Sequence, residues 1–258
     1  MMSGRLLSSA LTITEFELRK VRHDPSELVM RVVQPVLWLL VFGQVFARIR
    51  VLPTSGYGYV QFLTPGVLAQ SAVFVAIFYG LMLVLERDLG LLHKLLSTPA
   101  PRSSIVVGKA LSAGARAVLQ AVMILILAVV IRVNLKMTPL SVVGVMVVIA
   151  LSGMCFSSLS MFLASLLKTR ERMMGIGQAI TMPLFFASSA IYPIDVMPGW
   201  LKVAARVNPL SYVVDAMRTL LVPEWQPNFP LPVDMGILLL ATAVLVGLAS
   251  LSFSRIIQ

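Results

Sequence analysis

Acidic residues are scarce in this chain. Only 11 Asp and Glu stand against 21 Lys and Arg among 258 residues. Charged residues of both signs make up 12% of the sequence while 58% is hydrophobic, and a soluble domain carries about 25% charged residues. That shortage excludes a soluble globular protein and defines an integral membrane protein. Cysteine occurs once, at Cys155 inside an apolar run, which excludes an intrachain disulfide and a cysteine-based metal cluster. A thiol packed as a small hydrophobe is its expected role. The only histidines, His23 and His93, fall in polar flanks. This excludes an intramembrane His-metal site and a Ser-His dyad at bilayer depth. No span holds a pair of carboxylates, which speaks against an aspartyl protease. A Walker A string is missing as well: Gly108-Lys109 comes nearest but lacks the earlier Gly and the following Ser or Thr. ATP dependence would therefore come from another polypeptide, and no cofactor is expected in this chain. No acid lies near a span centre, which argues against proton or sodium coupling but leaves a passive channel open.

What the chain has is apolar runs of bilayer length, where about 20 residues suffice to cross. Residues 1–27 are mixed, with Leu7, Leu11, Thr14, Leu18 and Val21 at helical spacing and Glu15, Arg19, Lys20 and Arg22 off that stripe. They read as an interfacial amphipathic helix. Spans follow at Leu28–Phe46, Gln61–Leu85, Ala110–Ile131, Pro139–Leu167 and Met173–Tyr192, the last kinked at Pro183. A sixth span, Val233–Phe253, ends by residue 254. The fold class is thus all-α, six transmembrane helices in one membrane domain. The first run starts too late and is too long for a signal peptide.

Between spans two and three lies the polar stretch Glu86–Lys109. Leu85, Leu89, Leu92 and Leu96 share a helical face, with Arg87, Asp88 and Lys94 elsewhere, and Pro99 and Pro101 stop that helix. A helix lying on the lipid surface would give the same pattern. Six spans put both termini on one side. With the termini inside, the basic residues outside are Arg48, Arg50, Arg132, Lys136, Lys202, Arg206 and Arg218, leaving 14 of the 21 inside. The positive-inside rule then makes the termini and the 86–109 stretch cytoplasmic. Arg116, one to two turns inside span three, is expected to snorkel toward that side.

Residues 195–232 form a second region outside the spans. Pro198–Val207 reads as a short helix with Trp200, Leu201 and Ala204 on its apolar side. Asn208-Pro209 reads as an N-cap followed by Pro at the first helical position. The helix it opens, Pro209–Leu221, turns Leu210, Val213, Val214 and Met217 toward the apolar phase and sets Asp215 and Arg218 close enough to pair. Gln34, Trp38, Phe42, Phe185 and Phe186 are candidates to line a path for an amphipathic molecule, or else pack or face lipid.

The order Glu86-Arg87-Asp88-x-Gly90, then Leu91-Leu92, Pro99, Arg102 and Gly108-Lys109, resembles the intracellular loop of ABC-2 type permeases. These are membrane subunits of ABC exporters, and the daunorubicin-resistance and nodulation-factor group is the nearest. Asn208-Pro209-Leu210-Ser211-Tyr212 with Asp215 and Arg218 is similar to the family's motif before its last span. The resemblance implies a coupling element that docks on a separate ATPase subunit, drawn from Glu86, Arg87, Asp88, Leu89, Gly90, Leu92, His93, Lys94, Pro99 and Arg102. It implies an outer gate at Asn208, Pro209, Tyr212, Asp215 and Arg218, on helices that dip back into the outer leaflet. It further implies two permease copies, or one with a paralogue, above two ATPase subunits that carry Mg-ATP. The substrate would be hydrophobic or amphipathic (a drug-like natural product, lipid or glycolipid), exported across the plasma membrane. An ion-coupled transporter or passive channel is the alternative.

Overall fold

The structure is a computed structural model that describes residues 2–23, 26–49, 56–92, 97, 101–167 and 169–253, with backbone alone for 2–7, 21–23, 26–29 and 102. The described residues contain helices and no strand. Helix α1 is Met2–His23. The first span is α2 (Ser26–Leu37), a π-helical turn Trp38–Phe42, and α3 (Gly43–Ile49). Then come α4 (Tyr59–Asp88), α5 (Arg102–Val130), α6 (Pro139–Leu166) and α7 (Arg170–Phe186). A 3-10 turn Ile194–Val196 leads to α8 (Gly199–Val207), α9 (Pro209–Leu221) and α10 (Leu231–Ser252).

Among the described residues, five segments are long and apolar enough to cross a membrane: Met30–Ile49, α4, Ser103–Val130, α6 and α10. The expected fifth span is shorter than Met173–Tyr192 suggests. α7 has 17 residues and stops three residues after Pro183. At ~1.5 Å per residue it reaches about 25 Å, short of a hydrocarbon core of about 30 Å. Its carbonyl end is closed from elsewhere in the chain, because Asn208 Nδ2 donates to Leu184 O at 2.6 Å and to Ala187 O at 3.1 Å. Orphan carbonyls in a low-dielectric setting need such donors.

α6 is the hub, packed against α4, α5, α9 and α10. Without water between helices to expel, close van der Waals packing and hydrogen bonds hold such a bundle, and small residues permit it. A Cβ on Gly153 would sit 3.0 Å from Ala117 Cβ and from Gly114 Cα, so α5 and α6 cross at backbone contact. On α4, a Cβ on Gly80 would lie 2.3 Å from Ser160 Oγ. That hydroxyl accepts from Gly80 N at 3.1 Å and donates to Ile77 O at 2.7 Å. It stitches α4 to α6.

α1 is more than a raft on lipid. It packs along α5, and a Cβ on Gly108 would fall 2.8 Å from Ala10 O. Thr14 Oγ1 donates to Gly108 O at 3.1 Å. The inward face is Ala10 and Glu17, both buried, whereas Leu11 of the expected apolar stripe is exposed. The stripe was set by leucine spacing, but close approach selected the small residue and a salt-bridged acid.

Candidate functional site

The helix expected over Leu85–Leu96 is interrupted within the described residues. α4 runs on to Asp88, and Gly90, at φ +69°, ends it. Only glycine enters that left-handed region at no steric cost. The break separates the leucines expected on one face: Leu89 is exposed, while Leu92 is buried against a core that includes Val84, Ile105, Val106 and Phe253. Pro101 then N-caps α5, so residues 102–109 belong to a long span helix. His93, Lys94, Leu96 and Pro99 lie outside the described residues, and the Arg102 side chain does also.

At this end of the bundle the structure gathers charge that helical spacing alone did not reveal. Lys109, 2% exposed, sits between two carboxylates. Its Nζ is 3.1 Å from Glu17 Oε1 on α1 and 2.8 Å from the Glu86 carboxylate on α4. Lys20 Nζ stands 3.0 Å from Glu17 and 3.7 Å from Glu86. Arg116 reaches the same cluster, where protein groups hold it. Its guanidinium donates to Glu17 O at 2.9 Å, lies 3.4 Å from Glu17 Oε2, and rests 5.5 Å from the Tyr79 ring. Burial opposes ionisation of Glu17, but the Lys109 and Lys20 ammonium groups outweigh it and hold the carboxyl below its ordinary value. Glu86 is therefore a clamp between α4, α5 and α1 rather than a surface group offered to a partner.

Asp88 is the more exposed acid. It accepts from Arg87 at 2.9 Å and from Arg170 at 3.0 Å, which ties the end of α4 to the start of α7. Carboxylates in the last turn of a helix oppose its dipole, and these cations offset that. Glu17 was missed because its partner Lys109 is 92 residues away. The seven-residue interval between Lys109 and Arg116, two turns on one face, was the available signal.

At the opposite end of α4, Asn208 Oδ1 accepts from Leu210 N at 3.0 Å, the expected cap, with Pro209 at the first helical position. α9 is otherwise not amphipathic in place. Leu210, Val213, Val214 and Met217 are buried in protein, and so are Asp215 and Arg218. Nor do those two bond each other among the described contacts. Asp215 accepts from Trp225 Nε1 at 3.3 Å, Asn228 Nδ2 at 3.1 Å and Phe229 N at 3.0 Å. Arg218 donates to Phe62 O at 3.3 Å and Ser189 O at 2.6 Å, with its guanidinium 3.6 Å above the Phe62 ring. Each ion found a separate polar cage because α9 is enclosed by α4, α6 and α10. Tyr212 OH donates to Arg206 O at 2.5 Å, joining α9 to α8. On α8 the apolar side divides, with Trp200, Val203 and Val207 outward and Ala205 inward. A cavity of about 230 Å³ opens here beside Arg218, Phe62, Tyr57, Trp225 and Asp195.

The candidate pathway residues fall into two places. Trp38, Phe42 and Phe185 form an aromatic cluster, with Trp38 4.5 Å from Phe42 and 5.7 Å from Phe185. Phe186 stacks edge-on against Phe185 at 5.7 Å and is 47% exposed. Gln34 lies apart, in a cleft with Gln70 and Gln120.

The described residues form a helical bundle with several segments long and apolar enough to cross a membrane and a charge cluster at each of its two ends. The family model for ABC-2 type transporters matches residues 9–222, and the chain belongs to that family. It is similar to the ycf38 protein of Cyanophora paradoxa, whose name describes a transport permease, at 29% identity over 204 residues, 78% of this chain and 70% of that one. It is similar to the daunorubicin resistance ABC transporter permease protein DrrB1 of Streptomyces coeruleorubidus, 26% identical over 234 residues, 90% and 82% of the two chains. Nodulation protein J of Rhizobium leguminosarum bv. trifolii is 27% identical over 199 residues, 76% and 74%. Members of this family are transport subunits rather than enzymes.

Proposed function

We propose that this chain is the membrane subunit of an ATP-driven exporter in the plasma membrane, with six crossings and both termini cytoplasmic. α7 and the residues that follow it make the fifth crossing. In support, Arg170 at its start is bonded to Asp88 at one end of α4, and Ser189 beyond its end is bonded to Arg218 beside Phe62 at the other. Two copies, or one copy and a paralogue, surround the path, and two ATPase subunits carrying Mg-ATP dock at the Glu86 end. The substrate is a hydrophobic or amphipathic molecule of the natural-product or lipid class. The name of the Streptomyces relative, a daunorubicin resistance permease, supports that class.

The observation that carries the docking reading is the contrast within one turn. Glu86 is locked into a buried ion cluster with α1 and α5, while Leu89 projects 61% exposed beside the Asp88–Arg170 pair. An exposed apolar side chain on a clamped support can receive a partner and pass force to three helices at once. Leu89→Asp combined with Asp88→Ala is expected to insert normally and to lose co-purification with the ATPase subunit. Wild-type capture of the ATPase by that variant removes the docking site. Substrate flux in proteoliposomes lacking the ATPase would instead favour a passive channel.

A further inference from the structure

Pro35 lacks the N–H that would bond the carbonyl of Arg31 one turn earlier in α2. Gln120 of α5 supplies a donor instead, its Nε2 reaching Arg31 O at 3.3 Å. This leaves the other end of the same amide, Oε1, buried with no hydrogen-bond partner, in a residue only 1% exposed. Gln120 lines a cleft of about 310 Å³ between α2, α4 and α5, and Gln34 and Gln70 line it too. Neither of those amides makes a hydrogen bond to the described residues. Ser71 Oγ at the same wall spends its proton on Leu68 O at 2.7 Å and keeps its lone pairs. Gln70 and Gln120 both fall in the middle third of their helices, where hydrocarbon offers amides nothing. On the open side are Phe74 and Phe78, the latter 42% exposed with the Arg31 guanidinium 4.4 Å above its ring. No acid is among the described residues that line the cleft.

We propose that this cleft binds the hydroxyl-rich headgroup of an amphiphile, a sugar or polyol, with its apolar chain leaving past Phe74 and Phe78. Three carboxamides each offer a donor and an acceptor, which matches hydroxyls that do both. Arg31 is the one cation among the described lining residues, and a single guanidinium stacked on a ring is a poor trap for a multiply charged anion. The use of the cleft as a station for cargo rests on the permease reading; the binding does not, and it is measured on the full chain without any ATPase.

The test is native mass spectrometry from a sugar-free polyoxyethylene detergent. The probes are monoglucosyl diacylglycerol, tail-matched diacylglycerol, phosphatidylglycerol and free glucose. Monoglucosyl diacylglycerol is expected to be retained on the order of tenfold more than diacylglycerol, the worth of one to two neutral hydrogen bonds. Free glucose should not be retained, since the tail is part of the fit. Gln34→Leu with Gln70→Leu, which leaves the Gln120–Arg31 bond intact, should abolish the preference while keeping the wild-type melting temperature. Equal retention of the two diacylglycerols, a preference for phosphatidylglycerol, binding of glucose alone, or an unchanged preference in the double variant would each overturn the proposal.

Discussion

Replacing Lys109 with Met tests the clamp most directly. Lys109 is 2% exposed and carries contacts of 3.1 Å to Glu17 and 2.8 Å to Glu86. Met keeps the length and removes the charge. Two carboxylates then face each other in a site where Lys20, 44% exposed, and Arg116 are the remaining cations. Breaking a buried pair in this way costs roughly 3–5 kcal/mol because the stranded charge has lost its solvent as well as its partner. For a chain of this size that corresponds to a loss of roughly 6–20 °C in Tm. Lys20→Met, acting on a half-exposed group, should cost about 0–1 kcal/mol. The assay is thermal unfolding of purified protein in one detergent, read by intrinsic fluorescence. Neutralising the acids as well, in Lys109→Met with Glu17→Gln and Glu86→Gln, should return more than half of the loss, since the strain comes from charge and not volume. A Lys109→Met protein that melts like Lys20→Met, or a triple variant no better than the single one, refutes the argument.

The same cluster sets a pH dependence. Glu17 has a folded-state pKa below its ordinary 4.5, so its stabilisation is complete above that value and fades as pH falls through the lower folded value; Glu17→Gln should flatten the acid limb of a Tm-versus-pH curve. Asn208→Ala removes the α9 cap and the two donors closing α7, and should cost at least the ~1–2 kcal/mol of a strong cap in the same melting assay. Asp215→Asn and Arg218→Met should each destabilise, yet a double-mutant cycle should find little direct coupling, because their bonds go to Trp225, Asn228 and Phe229 on one side and to Phe62 and Ser189 on the other; strong coupling would restore the ion pair that their spacing suggested. Single cysteines at Ser97 and Gln226 in a Cys155→Ser background should label with an impermeant maleimide from opposite sides, and labelling from the same side would remove α7 as a crossing.

Local chemistry was legible in the sequence and long-range chemistry was not. The apolar runs located α4, α6 and α10 to within a few residues because composition alone decides which segments leave water. Asn208-Pro209 opened α9 on schedule because a cap acts within three residues. Glu17 was invisible for the opposite reason: amphipathic spacing assigns a charge to the wet side unless a partner is known, and that partner is Lys109 on α5. The Asp215–Arg218 spacing misled similarly. Three residues apart on an isolated surface helix suffices for pairing, but in a helix buried on all sides each ion is captured by the wall it faces. Gly90 was the overlooked local signal. Four leucines at helical intervals carried the reading past a glycine that ends α4 in the left-handed conformation.

These differences bear on how the ends of the molecule communicate. α4 is continuous from Tyr59 to Asp88, and from Phe62 to Glu86 it spans about 36 Å at ~1.5 Å per residue. Near its first turn the Phe62 carbonyl and ring hold Arg218; in its last turn Glu86 holds Lys109 and Asp88 holds Arg170. Ser160 and Gly80 fix it to α6, about three quarters of the way from Phe62 to Glu86, through contacts too close for any larger residue. A rod anchored at both ends and pinned between them transmits displacement as a body rather than bending to absorb it. On the proposed coupling, ATPase movement at Leu89 would therefore reach α9 through α4 itself. Gly80→Val, which forces α4 away from α6 with both ion sites left intact, should then uncouple ATP hydrolysis from transport while ATPase binding survives; full transport by a folded Gly80→Val protein would mean that another helix carries the motion.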